Sequence, residues 1–152
     1  MSHDSPVLPF MMTTLGAGLL VGALTAPTTD LWYEHLAKPS FTPPDWVFPP
    51  VWTVLYLMIG WAGGLVWARD KHSAAMKLWF LQLFLNLFWP FVFFLAERTD
   101  IALLVVLTLL VALGGFIATG RARSPLAAVL FVPYGLWVAY ATVLNAAIFL
   151  MN

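Results

Sequence analysis

Five long stretches of the chain carry no acidic or basic side chain. They cover residues 5–29, 46–68, 78–96, 101–120 and 124–152, with lengths of 25, 23, 19, 20 and 29 residues. Crossing a hydrocarbon core of ~30 Å takes ~20 mostly apolar residues in an α-helix, so each stretch can span. The runs do not alternate apolar and polar residues, as the roughly ten-residue strands of a membrane barrel do. The pattern predicts an all-α bundle of five transmembrane helices forming one domain over 1–152. Its helices are expected at about 7–26, 46–68, 76–95, 101–119 and 126–150. The first stretch reads as a retained helix and not a cleaved signal peptide, because the only charge before it is Asp4 and its apolar run is long.

Polar side chains within hydrocarbon face the bundle interior, so their spacing marks the inward faces. Gln82, Asn86, Trp89 and Phe93 recur at steps of four, three and four. Tyr134, Trp137, Ala141 and Asn145 recur at steps of three, four and four. Trp52, Tyr56, Gly60, Gly63 and Trp67 keep the same rhythm in the second helix. Each set lies on one helical face, whereas the fourth span is almost purely aliphatic. Taken singly, Asn86 and Asn145 read as interhelical glue, contributing about 0.6–2 kcal/mol per hydrogen bond. Trp46, Trp67 and Trp79 lie near helix ends and read as interface anchors; Trp61 reads as lipid-facing. Trp52, Trp89 and Trp137 differ, because they share faces with the amides. Flat π surfaces with a few polar handles suit a large, planar, mostly apolar ligand. Gly18-x-x-x-Gly22 and Gly60-x-x-x-Gly64 read as close-packing sites. Pro50 and Pro133 are expected to kink the second and fifth helices.

The first connection, about 27–45, is long and holds Trp32, Tyr33, His35, Lys38, Pro39, Pro43 and Pro44. Its prolines and aromatics predict an ordered cover over one mouth of the bundle. The other connections are short reversals. Counting Lys and Arg, the side with the N-terminus and the second and fourth loops has five, against two on the other. That places the N-terminus inside and the first loop outside.

Composition narrows the chemistry. Charged residues make up 9% of the chain, against about a quarter in soluble domains. Zero net charge leaves no field for nucleic acid, and the lack of cysteine removes disulfides and thiol catalysis. No span holds an acid or base at its centre, so an ion relay has no carrier. His3, His35 and His72 are scattered outside the spans, and no metal site is expected. No Ser/His/Asp arrangement or Gly-rich phosphate loop is present. A sterol-type pattern, Leu31-x-Tyr33-x4-Lys38, is a weak signal of its class.

Longer motifs are more telling. Trp32-Tyr33-x-x-Leu36-x-Lys38-Pro39-x-x-x-Pro43-Pro44 precedes Trp46-Val47-Phe48-x-Pro50-Val51-Trp52-Thr53-x-x-Tyr56. Gln82-Leu83-x-Leu85-Asn86-x-x-Trp89-x-x-x-Phe93-Phe94 follows, then Pro133-Tyr134-x-x-Trp137 and Ala141-Thr142-x-Leu144-Asn145. In this order, over nearly the whole chain, they resemble the translocator protein family, the tryptophan-rich sensory proteins or peripheral-type benzodiazepine receptors. The resemblance implies a five-helix bundle in the lipid bilayer, often a homodimer, with a cavity closed by the first loop. It implies protoporphyrin IX, haem or another flat hydrophobic molecule as ligand, with no cofactor required. Trp52, Trp137, Tyr33, Asn86, Trp89, Ala141 and Asn145 carry over by motif as ligand-binding residues, and the inward stripes add Tyr56, Phe93 and Tyr134. The animal cholesterol motif needs a Tyr and a basic residue after the Leu-Asn pair. Here Asn145 is followed by Ala146, Ala147 and Ile148 with neither, which favours a bacterial-type member in an inner membrane. The leading expectation is a tetrapyrrole receptor; the alternatives are a transporter of such ligands or a light-dependent porphyrin-degrading protein.

Overall fold

The computed structural model describes residues 5–152, so His3 and Asp4 lie outside it. Its long helices are α1 (Val7–Leu31), α2 (Phe48–Asp70), α3 (Ala74–Pro90), α4 (Thr99–Gly120) and α5 (Pro125–Met151). All five are long and apolar enough to cross a membrane, α3 when counted together with the turn that follows it. Among the described residues there is no strand.

Local chemistry sets the ends. Ser73 and Ser124 cap α3 and α5, each hydroxyl accepting a backbone N–H at 3.2 Å, from Met76 and Ala127. Such caps satisfy donors that the first turn leaves free. At the other end of α3, Pro90 cannot donate, and the chain widens into a π turn over Phe91–Leu95. Ala96 N–H reaches Phe91 O at 2.9 Å and Arg98 N–H reaches Val92 O at 3.1 Å. Glu97, at φ 56°, makes the left-handed step that closes this end.

The helices pack in the ring order α1, α2, α5, α4, α3. One end of the bundle is solid. Ile59, Val66, Met76, Trp79, Phe116, Phe131 and Tyr134 fill it, all but excluded from solvent, and an Asp70–Arg123 ion pair at 3.3 Å joins the second and fourth loops there. Towards the first loop the bundle is hollow, with a smaller cluster of Tyr33, Phe93, Leu144 and Ile148 at its edge.

Three sequence expectations need correction. α1 does not stop at 26: it continues through Pro27 to Leu31, so the first connection is shorter. Pro27 takes away the helical donor of Ala23 O, and the nearby hydroxyls go elsewhere, Thr25 to Val21 O (2.9 Å) and Thr29 to Thr25 O (3.3 Å). Pro50 does not kink α2, because with Pro49 it falls in the first turn, where N–H groups lack intrahelical acceptors in any case. Trp79 is no interface anchor. It is 2% exposed, its Nε1–H donates to Ile59 O at 2.9 Å, and its indole lies where a Cβ on Gly63 would be. Trp46 and Trp61 do face outward, and Pro133 lies inside α5.

The glycine pair of α2 works within the chain. A Cβ on Gly60 would run into the Met11 backbone, and one on Gly64 into that of Val7. Backbone cannot give way as a flexible side chain can. Gly60→Ala is therefore expected to cost about 1–3 kcal/mol through overpacking, read as a lower unfolding midpoint in detergent. An unchanged midpoint would mean that α1 and α2 are not seated on each other at this seam.

Candidate functional site

Beneath the first loop the five helices surround a cavity of about 630 Å³, within the ~300–1,000 Å³ common for ligand sites. α2 contributes Trp52 and Tyr56, α3 Asn86 and Trp89, and α5 Trp137, Ala141 and Asn145. The π turn after Pro90 brings both Phe93 and Phe94 to the wall, where they pack against Tyr33 of the loop at 6.1 and 5.7 Å between ring centres. Val106 and Leu109 of α4 add aliphatic surface. Asp45, at the mouth, is the one acidic or basic side chain on the described wall.

Two polar chains hold the wall in place. Tyr56 OH donates to Asn86 Oδ1 at 2.6 Å, Asn86 Nδ2 donates to Tyr134 OH at 2.6 Å, and Tyr134 OH donates to Gln82 Oε1 at 3.0 Å. Trp89 Nε1–H donates to Asn145 Oδ1 at 3.0 Å, while Asn145 Nδ2 donates to Thr99 O at 2.9 Å. The amides thus act as glue and as wall at once. Among the described residues two buried donors are left over, Gln82 Nε2 behind the wall and Trp137 Nε1 on it. The Trp137 indole packs between Phe48 and Tyr140 at 5.9 and 5.6 Å. An unmet buried donor costs about 1–3 kcal/mol.

The first loop is tied down at several points. Asn152 receives Ala37 N–H on Oδ1 at 3.1 Å and returns Nδ2–H to Ala37 O at 2.9 Å. Tyr140 OH donates to Phe41 O. Lys38 Nζ donates to Tyr33 O at 2.8 Å and lies 4.5 Å from the centre of its ring, so the Tyr and the Lys of the sterol-type pattern have a structural task. Burial above all, then the nearby Asp45 and Tyr140, push the Tyr33 phenol up to about 12. Tyr33 therefore stays neutral across physiological pH.

Nine of the ten residues singled out from the sequence lie on the cavity wall: Tyr33, Trp52, Tyr56, Asn86, Trp89, Phe93, Trp137, Ala141 and Asn145. Tyr134 does not. It is fully buried one layer behind Asn86 and orients that amide. The sequence reading missed the α1 wall, formed by Gly18, Gly22, Ala26 and Thr29 among others. Their steps of four, four and three were the available signal, and Gly18-x-x-x-Gly22 was read as packing alone. Gly18 does receive the Tyr56 ring, but Gly22 has open space beside it.

Residues 10–151 match the TspO/MBR family. The chain belongs to that family. Among its relatives is the tryptophan-rich protein TspO of Chlorobaculum tepidum, 38% identical, with 91% of this chain and 90% of the relative aligned. The tryptophan-rich sensory protein of Cereibacter sphaeroides is 35% identical over 95% of this chain and 90% of its own. The human translocator protein is 37% identical over 97% and 92%. This TspO/MBR chain therefore aligns over more than nine-tenths of its length with relatives from bacteria and animals.

Proposed function

We propose that the protein is a membrane receptor that holds porphyrins, or other flat hydrophobic molecules, in the cavity under the first loop. The observation that carries this reading is the lining of a cavity of about 630 Å³ by Trp52, Trp89 and Trp137, with polar groups confined to a few fixed positions. Indole faces stack on planar π systems, and the unpartnered Trp137 N–H favours a ligand with an acceptor. Porphyrin as the occupant comes from the motif resemblance. The wall holds no nucleophile paired with a base, so binding and handling fit it better than hydrolysis.

Protoporphyrin IX is expected to quench intrinsic tryptophan fluorescence saturably in reconstituted protein. Trp52→Phe combined with Trp137→Phe should weaken binding about tenfold, equivalent to ~1.4 kcal/mol of lost stacking and hydrogen bonding. Binding followed by porphyrin absorbance, which does not depend on the removed indoles, checks the same constant. Equal affinity in the double variant would move the ligand elsewhere.

A further inference from the structure

We infer that ligands reach this cavity sideways from the hydrocarbon phase, between the C-terminal half of α1 and the N-terminal half of α2, and not through the first loop. The inference rests on the reading that the cavity takes a flat hydrophobic ligand, and it adds the route and the phase from which that ligand comes.

The two halves of α1 are held very differently. Its N-terminal half is locked to its neighbours: Thr14 Oγ1 donates to Tyr56 O at 2.7 Å, Gly60 and Gly64 sit against Met11 and Val7, and Phe10 packs on Trp79 at 5.0 Å. Beyond Gly18, no described α1 side chain hydrogen-bonds to another helix, because Thr25 and Thr29 bond only within their own. Val21 and Thr25 turn inward and are buried. Leu19, Gly22, Ala23 and Ala26, on the flank beside them, line the cavity and are also exposed on the outside of the bundle. Across the gap, Pro49 of α2 does the same, and Thr53 lines the cavity and is half-buried. A residue that both lines a cavity and meets the exterior marks an opening. This one is bordered by small or apolar groups and faces the position of the acyl chains.

The first loop has the opposite character. Asn152 clasps the Ala37 backbone through two hydrogen bonds, Tyr140 holds Phe41 O, and Trp32 packs on Phe93 at 5.5 Å. Opening it requires all of these to break in water. Opening the α1 flank breaks no side-chain hydrogen bond to another helix among the described residues, and Pro27 already leaves α1 one backbone hydrogen bond short. The opening selects membrane-dissolved planar hydrophobes over water-borne polar molecules.

The chain has no cysteine, so a single introduced thiol can be modified cleanly. Ala23→Cys places one at the side opening, and Ser40→Cys places one on the exposed outer loop. Each variant, reconstituted in lipid vesicles, is treated with a bulky apolar maleimide, and protoporphyrin IX binding is followed by rapid-mixing tryptophan quenching. Modification at 23 is expected to slow both association and dissociation about tenfold or more, whereas modification at 40 changes them less than about twofold. Protein loaded with protoporphyrin IX before modification at 23 should retain it. Slowing at 40 instead of 23, or ejection of preloaded porphyrin by modification at 23, overturns the route. Absence of saturable quenching in the unmodified parent overturns the cavity reading itself, and the route with it.

Discussion

Gly22→Leu is expected to weaken protoporphyrin IX binding about a hundredfold, ~2.7 kcal/mol, without destabilising the protein. Gly22 lines the cavity, and a Cβ built there meets nothing within 4 Å. The Cβ therefore meets no protein atom, and the added side chain has room to take up space that the ligand needs. Leucine also suits a helix interior better than glycine, by up to about 1 kcal/mol, so the unfolding midpoint should hold or rise while affinity falls. These opposite signs separate occlusion of a site from damage to a fold. Gly18→Leu is the control, because a Cβ there strikes the Tyr56 ring and both stability and affinity should drop. The measurements are thermal unfolding in detergent and equilibrium quenching on the same samples. If Gly22→Leu binds like the parent, the cavity beside α1 is not where the porphyrin sits.

The two glycines also show where the sequence was readable. Five spans could be read because hydrocarbon excludes charge so strongly that the gaps between charged residues map the membrane directly. Inward faces could be read because amides and indoles recur with helical period, which placed Asn86, Asn145, Trp52 and Trp137 correctly on the wall. Less legible was anything depending on what a residue lacks. Gly63 is as necessary to the burial of Trp79 as the indole is, yet nothing in the spacing links position 63 to position 79. Proline misled twice for the same reason: its cost depends on place in the helix. Pro50 is harmless in a first turn, and Pro27, four residues before the end of α1, costs a single backbone hydrogen bond and does not stop the helix. The ties of the first loop run to backbone atoms of Ala37 and Phe41, which leave no signature in side-chain chemistry. Gly22 and Val106 form wall by shape alone.

The architecture divides labour along the bundle axis. Aromatic and aliphatic packing closes the end near the second and fourth loops, while the hollow end keeps its shape through polar chains. A cavity in the membrane cannot rely on the hydrophobic effect for rigidity, since lipid tails are as apolar as its walls. Directional bonds between helices must supply it. Asn86 is central to one of them, because it joins α2, α3 and α5 through Tyr56 and Tyr134.

Asn86→Leu is accordingly expected to destabilise the protein by about 2–4 kcal/mol, because Tyr56 loses the acceptor for its hydroxyl while remaining buried. Tyr134 keeps Gln82 Oε1 as acceptor and loses only the hydrogen bond that it receives. The signature lies in the double variant. Adding Tyr56→Phe removes the orphaned hydroxyl, so Asn86→Leu with Tyr56→Phe should recover ~1–2 kcal/mol relative to Asn86→Leu alone. Two unconnected residues would give additive losses instead. Because Tyr56 and Asn86 also form cavity wall, protoporphyrin IX affinity should fall in the single variant and remain low in the double, whose lining has lost both polar groups. Unfolding midpoints and equilibrium binding on the four members of the cycle decide it. Strict additivity in stability would show that the chain of hydrogen bonds from α2 to α5 does not hold this end of the bundle.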